Sequence, residues 1–371
     1  MSLARDIADL GSSATKLDTV GSNFIINGGM QVAQRNTSVT GIGASGSAYI
    51  THDRWKINVN NTAGRFTMEQ STDAPSGFTN SLKFSCTTAD TSIAADEELR
   101  LSQHIEAGSC AKTMTGTSDA KQLTLSFYAK ADSTKTYVAQ ILNNKHSGYI
   151  HNNRTFTVTS SWQRFTMTFQ ADTTADSIFD GTLTDAGFSL SFWLHAGSNY
   201  TSATLASDWA TGTTNRAAGI DSFFDSTSRT FFITGVQLEV GDTATDFEHR
   251  TFGDELTRCQ RYFCRTYEYG TATGASDTSQ GCISSVTETA HNYASAGNFN
   301  FPVEMRATPT VTLYSTYNAN TTGKVTADAT DGTGSAGFIA ASRCFLFRSN
   351  DSSGVGANVL MRAHATASAE L

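Results

Sequence analysis

From Asn23 to about Arg250 the chain reads as short runs closed off by clusters of Gly, Asn, Ser and Asp, and in several of them apolar residues recur at every second position. Successive side chains of a strand point to opposite faces, so a run of this kind buries its apolar face only by pairing into a sheet. Leu99-Arg100-Leu101-Ser102-Gln103-His104-Ile105 and Leu123-Thr124-Leu125-Ser126-Phe127-Tyr128 alternate, as do Trp162 to Phe169 and Phe188 to Leu194. The composition agrees, with 55 Thr and 41 Ser in 371 residues beside 30 Gly and only 3 Pro. Thr and the aromatics favour strands, whereas Ser and Gly favour turns. Roughly ten such strands predict a two-sheet β-sandwich of the jelly-roll kind.

One helix is expected, from about Asp254 to Arg265. Thr251 can cap it, Asp254 and Glu255 stand in its first turn, and Arg258, Arg261 and Arg265 lie toward its end, matching the macrodipole. Leu256, Cys259 and Phe263 would share its apolar face. Strands are expected to resume near Cys282–Thr289, Asn298–Val303, Thr310–Tyr314, Phe338–Phe347 and Val359–His364. The reading is therefore all-β: a short N-terminal helical segment over 1–22, a jelly-roll sandwich over 23–250, a linker helix over 251–266, and a smaller C-terminal β-sandwich over 267–371. In the first segment Leu3, Ile7 and Leu10 make one apolar stripe, too short to be stable alone and suited to docking.

Charge and cysteine usage narrow the function. Lys and Arg number 26 against 34 Asp and Glu, a net charge of -8, and Lys324 stands alone beyond Lys145, so no basic stripe is available for nucleic acid. No apolar run approaches the roughly 18 residues of a membrane span. Met1-Ser2-Leu3-Ala4-Arg5-Asp6-Ile7 carries charges where a signal peptide needs an apolar core. Six cysteines, Cys86, Cys110, Cys259, Cys264, Cys282 and Cys344, form no C-x-x-C pair, and are expected as free thiols of a protein assembled in a reducing cytoplasm.

Catalytic signatures were sought in the same residues. Glu97-Glu98 and Asp172 with Asp176 stand in turn-like settings and read as solvated loops rather than a glycosidase pair. Serine-hydrolase, phosphate-loop and dinucleotide fingerprints are missing. His146 and His151 lie in an Asn-rich loop that reads as polar rather than metal-binding. What remains suits recognition: Tyr149, Tyr200, Trp209, Tyr267, Tyr269, Tyr293, Tyr314 and Tyr317 stand on polar stretches, where rings stack on sugars and Asn and Thr bind hydroxyls. The strongest candidate contact loop is Tyr314-Ser315-Thr316-Tyr317-Asn318-Ala319-Asn320, with Tyr314, Tyr317, Asn318 and Asn320 as ligand-binding residues.

Four stretches carry a resemblance. Asn23-Phe24-Ile25-Ile26-Asn27-Gly28-Gly29-Met30-Gln31-Val32-Ala33-Gln34-Arg35 followed by His52-Asp53-Arg54-Trp55 is similar to the opening of a β-sandwich domain in bacteriophage tail-fibre and related virion proteins. Phe232-Ile233-Thr234-Gly235-Val236-Gln237-Leu238-Glu239-Val240-Gly241 with Ala244-Thr245-Asp246-Phe247-Glu248-His249-Arg250 resembles its close, leading into Glu255-Leu256-Thr257-Arg258-Cys259-Gln260-Arg261-Tyr262-Phe263. Phe301-Pro302-Val303-Glu304-Met305-Arg306-Ala307-Thr308-Pro309-Thr310-Val311 and the final Ala369-Glu370-Leu371 resemble segments of fibre tip domains.

The resemblance implies a non-catalytic structural protein of the virion tail, attached to other tail proteins through its N-terminus, trimeric by analogy, and binding host-surface glycan. A capsid fibre or decoration protein, a secreted carbohydrate-binding adhesin and a depolymerase are the alternatives. In a homotrimer, Leu256, Cys259 and Phe263 would face the axis. Asp53-Arg54-Trp55 is expected to set an ion pair under an indole, and Glu248 with Arg250 to bridge the sandwich to the helix. The first domain also resembles jelly-roll carbohydrate-binding modules, many of which hold a structural calcium ion. Met30 and Gly235 stand where the acidic ligands would be expected, so no cofactor is expected despite Glu239 and Asp242 nearby.

Overall fold

The computed structural model describes residues 23–179, 182–275, 280–286, 295–327, 330–336, 341–349 and 358–371. Leu3, Ile7, Leu10 and Tyr293 lie outside the described residues. The chain divides into two units: residues to Gln31, Thr40–Ala48 and Trp55–Arg250 form the first, and Val32–Val39, Tyr49–Arg54 and Thr251–Leu371 the second. The division therefore departs from simple cuts at 250 and 266, because two early segments and the helix belong to the second unit.

Ten strands build the first sheet: β1 (Ser38–Tyr49), β2 (Lys56–Ser71), β3 (Ser81–Thr88), β4 (Glu98–Glu106), β5 (Leu123–Ala131), β6 (Lys135–Asn143), β7 (His151–Val158), β8 (Gln163–Phe169), β9 (Ala186–Ala196) and β10 (Thr230–Val240). Their order is β7-β6-β9-β4-β2-β3-β10-β5-β8, with β1 on β2. The long β2 turns the corner. Its Lys56–Asn60 half pairs with β4 and its Arg65–Ser71 half with β3. Between the halves, Asn61 takes a left-handed backbone (φ 49). One hydrogen-bonded path thus bends into the two layers of a jelly-roll sandwich. Phe127 of β5 meets Phe156 of β7 and Phe192 of β9, both at 5.0 Å, across the core. Phe156 also reaches Phe165 of β8 at 5.4 Å, so the two ends of the sheet nearly close on each other.

Alternation in β9 predicts one wet face, yet every residue from Gly187 to His195 is buried. The segment after β9 covers the outer face: Tyr200 packs on Trp193 at 5.1 Å, Asn153 donates its amide to the Ala206 carbonyl, and Ala210 and His151 pair through their backbones. A strand buried on both sides reads as near-continuous burial whatever its polarity. The opening and closing stretches of this unit are hydrogen-bonded neighbours. Phe24 N donates to Leu238 O, and Val236 N to Gly28 O. The Asn23 carboxamide binds both Val236 O and Leu238 N. Gly28 is required here, since a Cβ would stand 2.1 Å from Val236 O. Gly235, at φ 62, is excluded from bearing a side chain by Phe78 and Tyr128 as well.

The second unit holds β11 (Phe263–Arg265), β12 (Ile283–Val286), β13 (Ser295–Asn300), β14 (Thr310–Tyr314), β15 (Lys324–Ala327), β16 (Thr330–Ala336), β17 (Cys344–Ser349) and β18 (Leu360–Ser368). Strand β18 is the hub, pairing with β11, β12, β14 and β15. Its Ala363, Ala365 and Ala367 pack into a core with Met305, Leu313, Val325, Phe345, Phe347 and Met361. The helix spans Phe252–Gln260 and is capped by Thr251, whose hydroxyl accepts from Asp254 N at 3.2 Å. It ends earlier than Arg265. Phe263 is a strand residue, and the buried helix positions are Glu255 and Cys259, with Leu256 only half-buried. The expected Leu256, Cys259 and Phe263 axial face is therefore corrected: Cys259 is fully buried, and Phe263 is off the helix.

Candidate functional site

The contact loop leaves β14 at Tyr314 and is organised by one carboxylate. Asp331 accepts from Ser315 Oγ at 2.6 Å, Asn318 Nδ2 at 2.7 Å and Thr326 Oγ1 at 2.9 Å. Ser315 Oγ in turn accepts from the amides of Tyr317 and Asn318. Partial burial opposes the charge of Asp331, but these bonds outweigh it and hold its carboxyl below the ordinary range. The loop is thereby fixed with Tyr317 55% exposed. Asn320, exposed at φ 56, turns the chain back. Asn318 is exposed too, although its amide serves Asp331.

Tyr314 is separated from that surface. Its ring helps wall a cleft of about 370 Å³ with Arg35, Asn36, Val39, Tyr49, Ile50, Phe263, Thr273 and Thr366. Behind the cleft lies a buried ionic cluster. Arg35 contacts Asp53 at 3.3 Å and Glu370 at 3.0 Å, and Arg54 pairs with the other oxygen of Glu370. Each guanidinium lies on a ring, Arg35 over Phe263 at 3.7 Å and Arg54 over Tyr262 at 3.5 Å. Tyr49 donates its hydroxyl to Leu371 O at 2.8 Å, and Arg306 holds the Ala369 and Glu370 carbonyls.

Burial pushes the Asp53 carboxyl up to about 6, against the pull of Arg35 and of the Gln34 amide, which donates at 2.6 Å. Burial acts against the charge of Arg54 too, but Glu370 and the neighbouring phenols more than offset it and keep it charged. Burial alone takes His52 down to about 3. Asp53 is fully buried and its oxygens serve Gln34 and Arg35, so the pair Asp53 and Glu370 holds structure rather than presenting an acid and a base to a substrate.

Several expectations are revised. Asp53 and Arg54 do not sit under Trp55; the indole donates to Asn27 O at 3.0 Å in the first unit. Glu248 and Arg250 pair with each other and turn back to the sandwich opening, binding the Asn23 amide and the Asn23 and Ile25 carbonyls. Glu97 and Glu98 are buried, bound to His195 and Arg100, and Asp172 is buried against Asn143. His151 fixes a loop through Gly212 O and Asn153, and burial lowers it to about 4, while His146 accepts from Gly148 N. Trp209 stacks on Phe188 and Tyr267 on His364, so neither ring is presented as a free platform. Glu239 accepts from Thr245 N and Oγ1, and among the described residues no group of three or more His, Cys, Asp or Glu is placed to hold a metal.

Arg35, Tyr49 and Glu370 escaped the sequence reading as site residues. Arg35 and Glu370 sit in stretches that carry the resemblance, and that placement was the one available signal; Tyr49 falls between two of them.

No family model and no curated protein matches the chain. Among solved structures, a CBM4 structure is similar at 16% identity over 58% of this chain and 97% of its own, with a TM-score of 0.29. The family 11 carbohydrate-binding module from Clostridium thermocellum, in complex with a β-1,3-1,4-mixed-linked tetrasaccharide, is 14% identical over 57% of this chain and 98% of its own, TM-score 0.28. The enzymatically active domain of bacteriophage CBA120 tailspike protein 4 is 12% identical over 59% of this chain and 21% of that one, TM-score 0.29. At such values the likenesses transfer neither ligand nor activity, and the fold rests on strand order and register.

Proposed function

We propose that this chain is a non-catalytic structural protein of a phage tail, fibre-like, which docks on the particle through residues 1–22 and binds host-surface glycan through its β units. The observation that carries the glycan part is the Asp331-braced loop. Tyr317 is a large ring held in solvent by a fixed backbone, and ordering a contact residue before binding removes entropy that association would otherwise have to supply. Exposed Asn side chains beside it offer hydroxyl partners. The virion part rests on the resemblance of the opening, closing and tip stretches. Assembly as a trimer fits this reading, with weak single contacts summed by multivalency.

The test is competition. Purified full-length chain added to host cells is expected to block adsorption of the parent phage, and Tyr317→Ala to require about tenfold more protein, the loss of about 1.4 kcal/mol. Absence of blocking by the unaltered chain contradicts the proposal.

A further inference from the structure

We propose that the cleft walled by Tyr314, Tyr49 and Phe263 is a second binding site, for an uncharged pyranose unit. This inference rests on the glycan reading above but takes only Tyr314 from the expected contact loop and does not use Tyr317. Four separated stretches build the cleft: Arg35 to Ile50, Phe263 to Thr273, and the paired β14 and β18. Its volume of about 370 Å³ falls within the range of roughly 300 to 1,000 Å³ usual for small-ligand sites.

The lining selects the ligand class. Tyr49 and Tyr314 offer partly exposed ring surface, with Val39 and Ile50 as apolar neighbours. The Asn36 amide donates to Ile50 O and the Thr273 hydroxyl to Arg35 O, both at 3.4 Å, so their side-chain oxygens serve as acceptors among the rings, beside the Thr366 hydroxyl. The axial C–H face of a pyranose meets rings, and its equatorial hydroxyls meet such groups, which is the division of labour this wall provides.

Charge decides between neutral and acidic sugars. Arg35 is the cation of the wall, yet its two terminal nitrogens already contact Asp53 and Glu370 and its plane lies on Phe263. An anionic sugar would therefore meet a guanidinium whose charge is compensated, with two carboxylates directly behind it. A neutral sugar meets no such penalty. The wall is also fixed in advance, since the Tyr49 hydroxyl is tied to Leu371 O and Phe263 is held by β11 pairing with β18.

Saturation-transfer NMR on the full-length chain tests this with a panel of glucose, galactose, mannose, N-acetylglucosamine and glucuronate. In Tyr317→Ala, which removes the loop's own ring, at least one neutral sugar is still expected to receive saturation, with affinity falling at least tenfold when Tyr314→Leu is added and several-fold when Thr366→Val is added. Thermal unfolding of each variant reports whether the fold persists, and Thr366→Val, which is nearly isosteric, serves if Tyr314→Leu unfolds. No neutral sugar bound, binding indifferent to both cleft variants, or glucuronate bound more tightly than glucose overturns the inference. If phage adsorption is still blocked in a Tyr317-dependent way, the cleft fails and the glycan reading stands. If adsorption is not blocked either, both fail.

Discussion

Glu370 lies between two arginines in the second unit, with a side-chain exposure of 6%, and Arg54 beside it is almost completely enclosed. Removing one partner of a buried pair strands the other charge, so Glu370→Ala is expected to cost about 3–5 kcal/mol in chemical denaturation of that unit. Replacing both, as in Arg54→Met with Glu370→Leu, is expected to cost much less, because nothing charged is left unpaired. Equal losses in the single and double variants would remove the cluster from the stability account. His52 and Asp53 titrate in opposite senses. Burial lowers His52 to about 3 from 6.5, so its neutral form stabilises the fold above pH 6.5 and that contribution is lost as the pH falls toward 3. Asp53, raised from 3.8 to about 6, favours the fold when protonated, and that contribution is lost as the pH rises from about 4 to 6. In His52→Asn the acid limb of a stability profile should flatten by up to about 1.4 kcal/mol per pH unit between pH 6.5 and 3. An unchanged slope would show that another group governs it. None of this was legible beforehand: Asp53-Arg54 reads as a local pair with Trp55, whereas Asp53 is held by Gln34 and Arg35 from the preceding stretch and Arg54 by Glu370, 316 positions away.

At the scale of elements, polarity patterns carried most of what could be read. Leu123–Tyr128 and Trp162–Phe169 alternate and form most of β5 and the whole of β8. The hairpin of β15 and β16 escaped notice because Thr, Asp and Gly dominate it and its few apolar residues show no period. Phe263 was misread for the opposite reason: its spacing from Cys259 suits a helix, but the chain leaves the helix at Gln260, and pairing of Phe263–Arg265 with β18 overrides local periodicity. The cap was read correctly from Thr251 and Asp254. Thr251→Ala is expected to destabilise the helix by about 1 kcal/mol, seen as faster amide exchange over its first turn. The seam between the opening stretch and β10 depends on Gly28. A methyl there collides with the Val236 carbonyl, so Gly28→Ala should cost about 1–3 kcal/mol and speed exchange of the Phe24 and Val236 amides. Protection equal to that of the unaltered chain would separate the two stretches energetically.

For the whole molecule, an all-β chain with a jelly-roll sandwich and further strands beyond the helix was legible from alternation and turn residues. The cleft was not, since four chain stretches that share no motif converge on it. The covered outer face of β9 also escaped prediction: Tyr200 and Arg216 pack on Trp193 there. A fibre-like assembly predicts a native mass near three times 39.6 kDa by light scattering. A monomer would set aside the trimer and, with the corrected helix, leave a single-copy binding protein. The central claim is glycan binding without cleavage, and retention of the full-length chain on immobilised polysaccharide from the host surface tests it most directly, with reducing ends assayed in the same wells. The account predicts reversible retention and no release of reducing ends. Absence of retention, or polysaccharide shortened by the protein, would contradict it.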